Sequence, residues 1–221
     1  MFKKAIIAED LGSINRGIQS TLKEMGITQI THASYCDDAY LKIKRAELDN
    51  QPFDLLITDL SFKTDHRDIN LQSGADLAAV VKKESPRMKV VVFTVDDRIP
   101  KARHLVNVVG VEAYVCKGRT GLPDLAKALT ALSKGNTFFS QPIKQGLNKR
   151  SPIDITAYDI ELMRQLANGL AQRALPDYLR SNNIEPSSLS AVEKRLNTLK
   201  SHFDAKNPTH LVALVKDLGL I

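Results

Sequence analysis

The feature that most constrains this chain is an alternation that runs to Gly135: five short apolar, β-rich segments, each followed by a stretch of helical period. The segments are Ala5 to Ala8, Ile27 to Ala33, Asp54 to Thr58, Lys89 to Thr94 and Glu112 to Cys116. Strands that are apolar along most of their length need cover on both faces, and parallel neighbours joined by right-handed helical crossovers supply it. The stripes between them support this. Ile14, Ile18, Leu22 and Met25 close at Gly26, and Leu122, Leu125, Leu129 and Leu132 open beside Pro123 and close at Gly135. The expected fold is α/β, a doubly wound five-stranded parallel sheet of flavodoxin-like order 2-1-3-4-5.

Residues 136–153, NTFFSQPIKQGLNKRSPI, hold two prolines, a glycine and no sustained period, and read as a linker. Beyond them no strand pattern occurs. Helices are expected at about 157–168, from Pro176, at about 191–203 and at about 208–218, a second and smaller all-α domain. The expected organisation is therefore 1–135, linker 136–153, and 154–221.

The chain has 221 residues and a formal charge of +6, with the excess per residue larger after residue 135 (11 Lys and Arg against 8 Asp and Glu) than before it (20 against 17). That favours an anionic partner without identifying it. Cys36 and Cys116 stand alone, without the paired Cys or His spacing of a metal site, and are expected to be buried thiols. The opening MFKKAIIAED stops being apolar at Glu9, too short for a signal core or a span, so a cytoplasmic protein with no membrane association is expected.

In an open parallel sheet, chemistry gathers beyond the carboxyl ends of the strands. Here those ends carry Glu9 and Asp10, Asp59, Thr94 and Lys117. A single polar residue closing a strand is ordinary, but this set is chemically complementary. Three carboxylates at one edge stay ionised cheaply only if a cation shares the site, and an all-oxygen donor set points to Mg²⁺. With a lysine and a hydroxyl nearby, the site suits phosphoryl transfer, with Asp59 as nucleophile.

The motifs AIIAED, LLITD, VVVFT and AYVCKG, in that order, resemble the receiver domain of two-component response regulators. The resemblance implies that Asp59 accepts a phosphoryl group from a sensor histidine kinase. It implies that Asp10, Asp59 and the backbone carbonyl of Ser61 hold Mg²⁺, with Glu9 acting through water, and that Lys117 and Thr94 meet phosphoryl oxygens. Tyr114 matches the aromatic residue that turns inward when the threonine moves. Such a protein accepts and slowly loses its own phosphoryl group and is not a turnover enzyme. The loop SFKTDHRDINLQSG after Asp59 is about ten residues longer than usual in that family, and Gly118 follows the lysine where proline is common.

In the C-terminal part, Thr156 and Asp159 have the spacing of a capping box. Leu189, Val192, Leu196, Leu199 and Phe203 form a stripe, with Lys194, Asn197, Lys200 and Ser201 opposite and Arg195 at its edge. ITAYDIELMRQLANGL followed by SAVEKRLNTLKSHF resembles the LuxR-type helix-turn-helix of the NarL/FixJ response regulators. The resemblance implies a recognition helix from near Ser190 that contacts double-stranded DNA through Lys194, Arg195, Asn197, Lys200 and Ser201, and a homodimer on phosphorylation that meets a two-fold promoter site. Glu193 replaces the family's lysine, either as a partner of Ser190 in a capping box or as a DNA-facing residue, and RSNNIEPSSLS is about six residues longer than the family's turn. Two other functions are open: a receiver whose output domain binds protein, and a phosphatase of the haloacid dehalogenase class. The latter needs a second Asp two residues after the first, where this chain has Ser61.

Overall fold

The apolar runs become the strands of one parallel sheet in a computed structural model, which describes residues 2–63, 70–148, 155–203 and 205–221. The chain divides into two units, Met1–Gly146 and Leu147–Ile221.

In the first unit the order is β1 (Lys4–Ala8), α1 (Gly12–Glu24), β2 (Gln29–Ala33), α2 (Cys36–Leu48), β3 (Leu55–Thr58), α3 (Gly74–Glu84), β4 (Lys89–Thr94), α4 (Ile99–His104), a π-helical turn (Leu105–Val109), β5 (Ala113–Cys116), α5 (Gly121–Ser133), β6 (Phe138–Phe139) and α6 (Gln141–Asn148). All pairings are parallel, in the order β2-β1-β3-β4-β5-β6. The five-stranded expectation is corrected by β6. Residues 136–148 are not plain linker: Phe138 N–H donates to Glu112 and Ser140 N–H to Tyr114, extending the ladder past β5. Ser140 Oγ then accepts the Cys116 N–H at 3.1 Å. Residues 149–154, the rest of the expected linker, lie outside the described residues.

Both sheet faces are covered. Ile7, Leu55, Ile57, Val91 and Phe93 pack with Ile18 and Leu22 of α1 and Leu125 and Leu129 of α5. The alternate residues Ile6, Leu56, Val90 and Val92 are equally buried, as are Leu77 and Val81 of α3. At roughly 1.5–3 kcal/mol for each large apolar side chain, this burial sets the strand register, because a one-residue slip would exchange the two faces.

The second unit is all helical: α7 (Ala157–Ala167), a 3₁₀ turn (Gln172–Ala174), α8 (Leu175–Ser181), α9 (Leu189–His202) and α10 (Pro208–Asp217). Leu162, Met163, Leu175, Leu179, Val192, Leu196, Leu199, Leu211 and Val215 form its own core. The capping box of α7 forms as expected: Asp159 N–H reaches Thr156 Oγ1 at 3.3 Å, and Thr156 N–H reaches Asp159 Oδ2 at 2.8 Å. The lengthened segment between α8 and α9 is tied down. Ile184 packs on the core, and the Tyr158 hydroxyl donates to the Pro186 carbonyl at 2.7 Å.

Candidate functional site

Four strands of the first unit, β1, β3, β4 and β5, deliver their terminal polar residues to the same sheet edge. Hydrogen bonding continues past the ladder there: Asp59 N–H donates to Ala8, Glu9 N–H to Ala33, and Lys117 N–H to the Thr94 carbonyl at 2.6 Å. The side chains then converge. Lys117 Nζ donates to Glu9 Oε2 at 2.7 Å and to Asp59 Oδ2 at 2.6 Å, although these residues are 108 and 58 positions away in sequence. Glu9 is 1 % exposed and Asp59 5 %, so one ammonium holds two carboxylates in a nearly water-free position. Burial pushes the Glu9 carboxyl above its ordinary value, opposed by Lys117. Asp59 Oδ1 accepts the Leu60 N–H at 2.6 Å, which leaves the carboxylate orientation fixed at both oxygens.

Asp10 takes a different direction, with Oδ2 accepting the Lys63 N–H at 3.0 Å. That bond draws the start of the long loop, including Ser61, toward the end of β1. Among the described residues no three His, Cys, Asp or Glu side chains form a ready metal cage. Asp10 and Asp59 offer carboxylate oxygens, the donor type that a hard cation such as Mg²⁺ takes. Residues 64–69 of the loop lie outside the described residues; its exit is held where Asn70 and Leu71 N–H donate to Asp37, both at 3.0 Å.

Thr94 is fully buried at the end of β4, next to β3 in the sheet, and its Oγ1 accepts the Asp96 N–H at 3.2 Å. Tyr114 is also fully buried, and its hydroxyl donates to the Asp96 carbonyl at 2.6 Å. Burial pushes that phenol well above its ordinary value. Thr94 and Tyr114 are thus joined through one residue, Asp96, whose side chain in turn pairs with Arg98 at 2.6 Å and Lys101 at 3.5 Å. The sequence reading missed Asp96; as one more polar residue in a polar loop it had nothing to mark it. It also missed Gly74, where an added Cβ would stand 1.7 Å from the Asp59 carbonyl oxygen. Of the two cysteines, Cys36 is buried and Cys116 half-buried; burial pushes their thiols up to about 12 and about 11, which keeps both protonated and unreactive.

The second site is the outer face of α9. Lys194, Asn197 and Ser201 are exposed on it and Lys200 lies half-buried at its side, with Val192, Leu196 and Leu199 buried opposite. Arg195 is a correction. Its Nε and Nη2 donate to the two oxygens of Asp159, both at 2.6 Å, and Asp159 is fully buried. Burial alone would push that carboxyl up, but the fork from Arg195 and the bonds from Thr156 hold it below the usual carboxylate range. Arg195 therefore clamps α9 to α7 and is not free to meet a base. The helix start is corrected too: Ser188 is the N-cap, accepting the Ala191 N–H at 3.3 Å, so no capping box joins Ser190 to Glu193.

No protein-family model matches the chain. It is 30 % identical over 147 residues to the transcriptional regulatory protein RcsB of Escherichia coli K12, a match covering 66 % of this chain and 63 % of RcsB. The chain thus matches somewhat under two thirds of that relative's length. The structure of a two-component response regulator RcsB–DNA complex superposes with a TM-score of 0.61 at 22 % identity, covering 98 % of each chain. The isolated receiver domain of RcsB from Salmonella enterica serovar Typhimurium, with the phosphomimetic BeF₃⁻, superposes with a TM-score of 0.55 at 24 % identity, covering 67 % of this chain and all of that one.

Proposed function

We propose that this chain, a homologue of the response regulator RcsB, is a phosphorylation-controlled transcription regulator of the NarL/FixJ type. Its first unit is the switch and its second the DNA-binding output. One observation carries the reading: a single lysine, Lys117, bridges Glu9 and Asp59 at the carboxyl ends of three different strands.

Asp59 is the phosphoacceptor. One of its carboxylate oxygens attacks the phosphorus of a phosphohistidine on a sensor kinase, an O–P bond forms as the N–P bond breaks, and the imidazole leaves with the electron pair. Lys117 already donates to Asp59 Oδ2 and has only to swing to a phosphoryl oxygen. The Thr94 hydroxyl supplies a second donor from β4. Mg²⁺, held by Asp10, Asp59 and the Ser61 carbonyl with Glu9 acting through water, would neutralise the charge spread over the phosphoryl oxygens. Ser61 stands two residues after Asp59, where a phosphatase would need its general acid, so the phosphoryl group is lost slowly and no substrate is turned over.

Phosphorylation then favours a homodimer whose paired α9 helices meet a two-fold site on double-stranded DNA, and a regulator of this kind works in the cytoplasm. RcsB itself is known in complex with DNA, and its receiver in complex with BeF₃⁻, which supports both halves of the reading. Among the described residues no helix is long and apolar enough to cross a membrane. The decisive experiment is incubation with a small phosphoryl donor and Mg²⁺. A hydroxylamine-labile adduct is expected, absent in Asp59→Asn; an unmodified wild-type protein, or labelling that survives the substitution, would refute the assignment.

A further inference from the structure

The face of α9 that would enter a DNA groove carries one residue of the wrong sign. Glu193 is exposed beside Lys194 and four residues before Asn197, on the same open face that Ser190 and Ser201 help to line. It is the fifth residue of the helix, within the N-terminal turns that reach base edges when a recognition helix docks. The helix is capped by Ser188, so Glu193 is not spent on its own N-terminus. Among the described residues it enters no hydrogen bond or ion pair, whereas the acidic residues Asp159 and Glu161 of α7 are each committed to partners.

We propose that Glu193 is a specificity-determining residue that reads a cytosine in each half-site; this rests on the DNA-binding reading of α9. An unpaired carboxylate on a DNA-facing helix is repelled by the phosphates and lowers affinity for every sequence alike unless a donor meets it. Only two base groups in the major groove donate, the N4 amino group of cytosine and the N6 amino group of adenine. Adenine presents its acceptor N7 beside the amino group, which suits a carboxamide such as Asn197 and repels a carboxylate. Cytosine presents the amino group without that acceptor, and it matches Glu193. Arg195 is withdrawn to Asp159, so on the exposed face Glu193 stands among Lys194, Asn197 and Ser201, one acceptor-only group among three that can donate.

The test is selection of duplexes from a random pool by the full chain, phosphorylated and not, in parallel with Glu193→Gln and Glu193→Lys. Both substitutions are on an exposed position and should leave the thermal unfolding of the protein unchanged. Wild-type selection should fix a cytosine at one position of each half-site, with on the order of ten-fold discrimination against other bases there. Glu193→Gln should lose that preference while keeping the rest of the motif, and Glu193→Lys should replace the cytosine by guanine. A motif unchanged in both variants, or binding that tightens equally on all sequences, would overturn the inference and leave Glu193 as a merely repulsive charge. Wild-type protein that retains no duplex in either state would instead remove the DNA-binding reading itself, and this inference with it.

Discussion

Two cations, Lys117 with its side chain 7 % exposed and Arg195 with its side chain 30 % exposed, hold buried carboxylates and do opposite kinds of work. Lys117 holds two carboxylates in a site that must change partners; Arg195 holds one carboxylate in a core that must not. Replacing Lys117 by Met strands Glu9 and Asp59 together without a counter-ion, which should cost the first unit about 3–5 kcal/mol at neutral pH. The sign of the pH dependence follows from Glu9, whose carboxyl already titrates above its ordinary value of 4.5. A raised folded-state value means that stability is fullest below pH 4.5 and declines as pH rises through the folded-state value. Without Lys117 that value rises further, so the deficit of Lys117→Met should shrink when urea unfolding is measured at pH 4.5 instead of pH 7; a deficit independent of pH would contradict the account. For Arg195 the direction is reversed: Asp159 is held low, so its contribution is present above its ordinary value of 3.8 and lost as pH falls through the folded-state value. Arg195→Met should destabilise the second unit by about 3 kcal/mol at pH 7. Lys194→Met should leave its melting temperature alone and weaken DNA binding, a contrast that calorimetry and a gel shift together can read.

At the scale of elements, the most exposed dependency is the seating of α3 under the end of β3. Gly74 is the first residue of α3, its N–H donates to Leu60, and a Cβ there would meet the Asp59 carbonyl oxygen at 1.7 Å and Thr58 Oγ1 at 2.6 Å. Because the obstacle is backbone, Gly74→Ala must displace either the helix or Asp59. Phosphorylation by a small donor should fall by at least ten-fold along with a loss of stability. At Gly146 the obstacle is the side chain of Ile99, 2.1 Å from an added Cβ, and Gly146→Ala should cost about 1–3 kcal/mol while labelling of Asp59 persists. These two positions mark the limit of what could be read in advance. Four of the first five strands were legible because a core strand must be apolar and its end here is polar, so LLITD and AYVCKG announce both sheet and site, while β2, QITHA at the sheet edge, was read from the alternation alone. β6 was not, since two residues carry no period and its neighbours include the Pro142 and Gly146 of an ordinary linker. Glu9, Asp59 and Lys117 were legible as a set from strand-end chemistry. Arg195 was misread, because helical spacing places it at the edge of the polar face and only the packing of α7 brings Asp159 within reach. The start of α9 was misplaced for a simpler reason: Ser187, Ser188 and Ser190 are chemically equal caps, and in the fold Ser188 takes that role while Ser187 bonds to Glu185.

On the scale of the whole molecule, each of the two units has a hydrophobic core of its own, one built on a parallel sheet and the other on four helices. The smaller unit runs from Leu147 to Ile221, a length at which single-core domains do fold alone, and its ion pair and capping box lie wholly within it. Residues 147–221 expressed alone should therefore unfold cooperatively, and Arg195→Met should lower their midpoint, whereas Lys117→Met in the full chain should leave the unfolding of this unit in place. The same fragment isolates the electrostatics of DNA binding from control by phosphorylation. The logarithm of its affinity for duplex DNA should fall linearly with the logarithm of salt concentration. If Lys200, at the side of the α9 face, contacts a phosphate, Lys200→Met should reduce that slope by about 0.9 without altering the selected sequence. Glu193→Gln should do the converse, changing the selected sequence with little effect on the slope, because a base contact releases no counter-ion. A slope that Lys200→Met leaves unchanged would place the phosphates elsewhere, and the orientation of α9 on DNA would have to be redrawn.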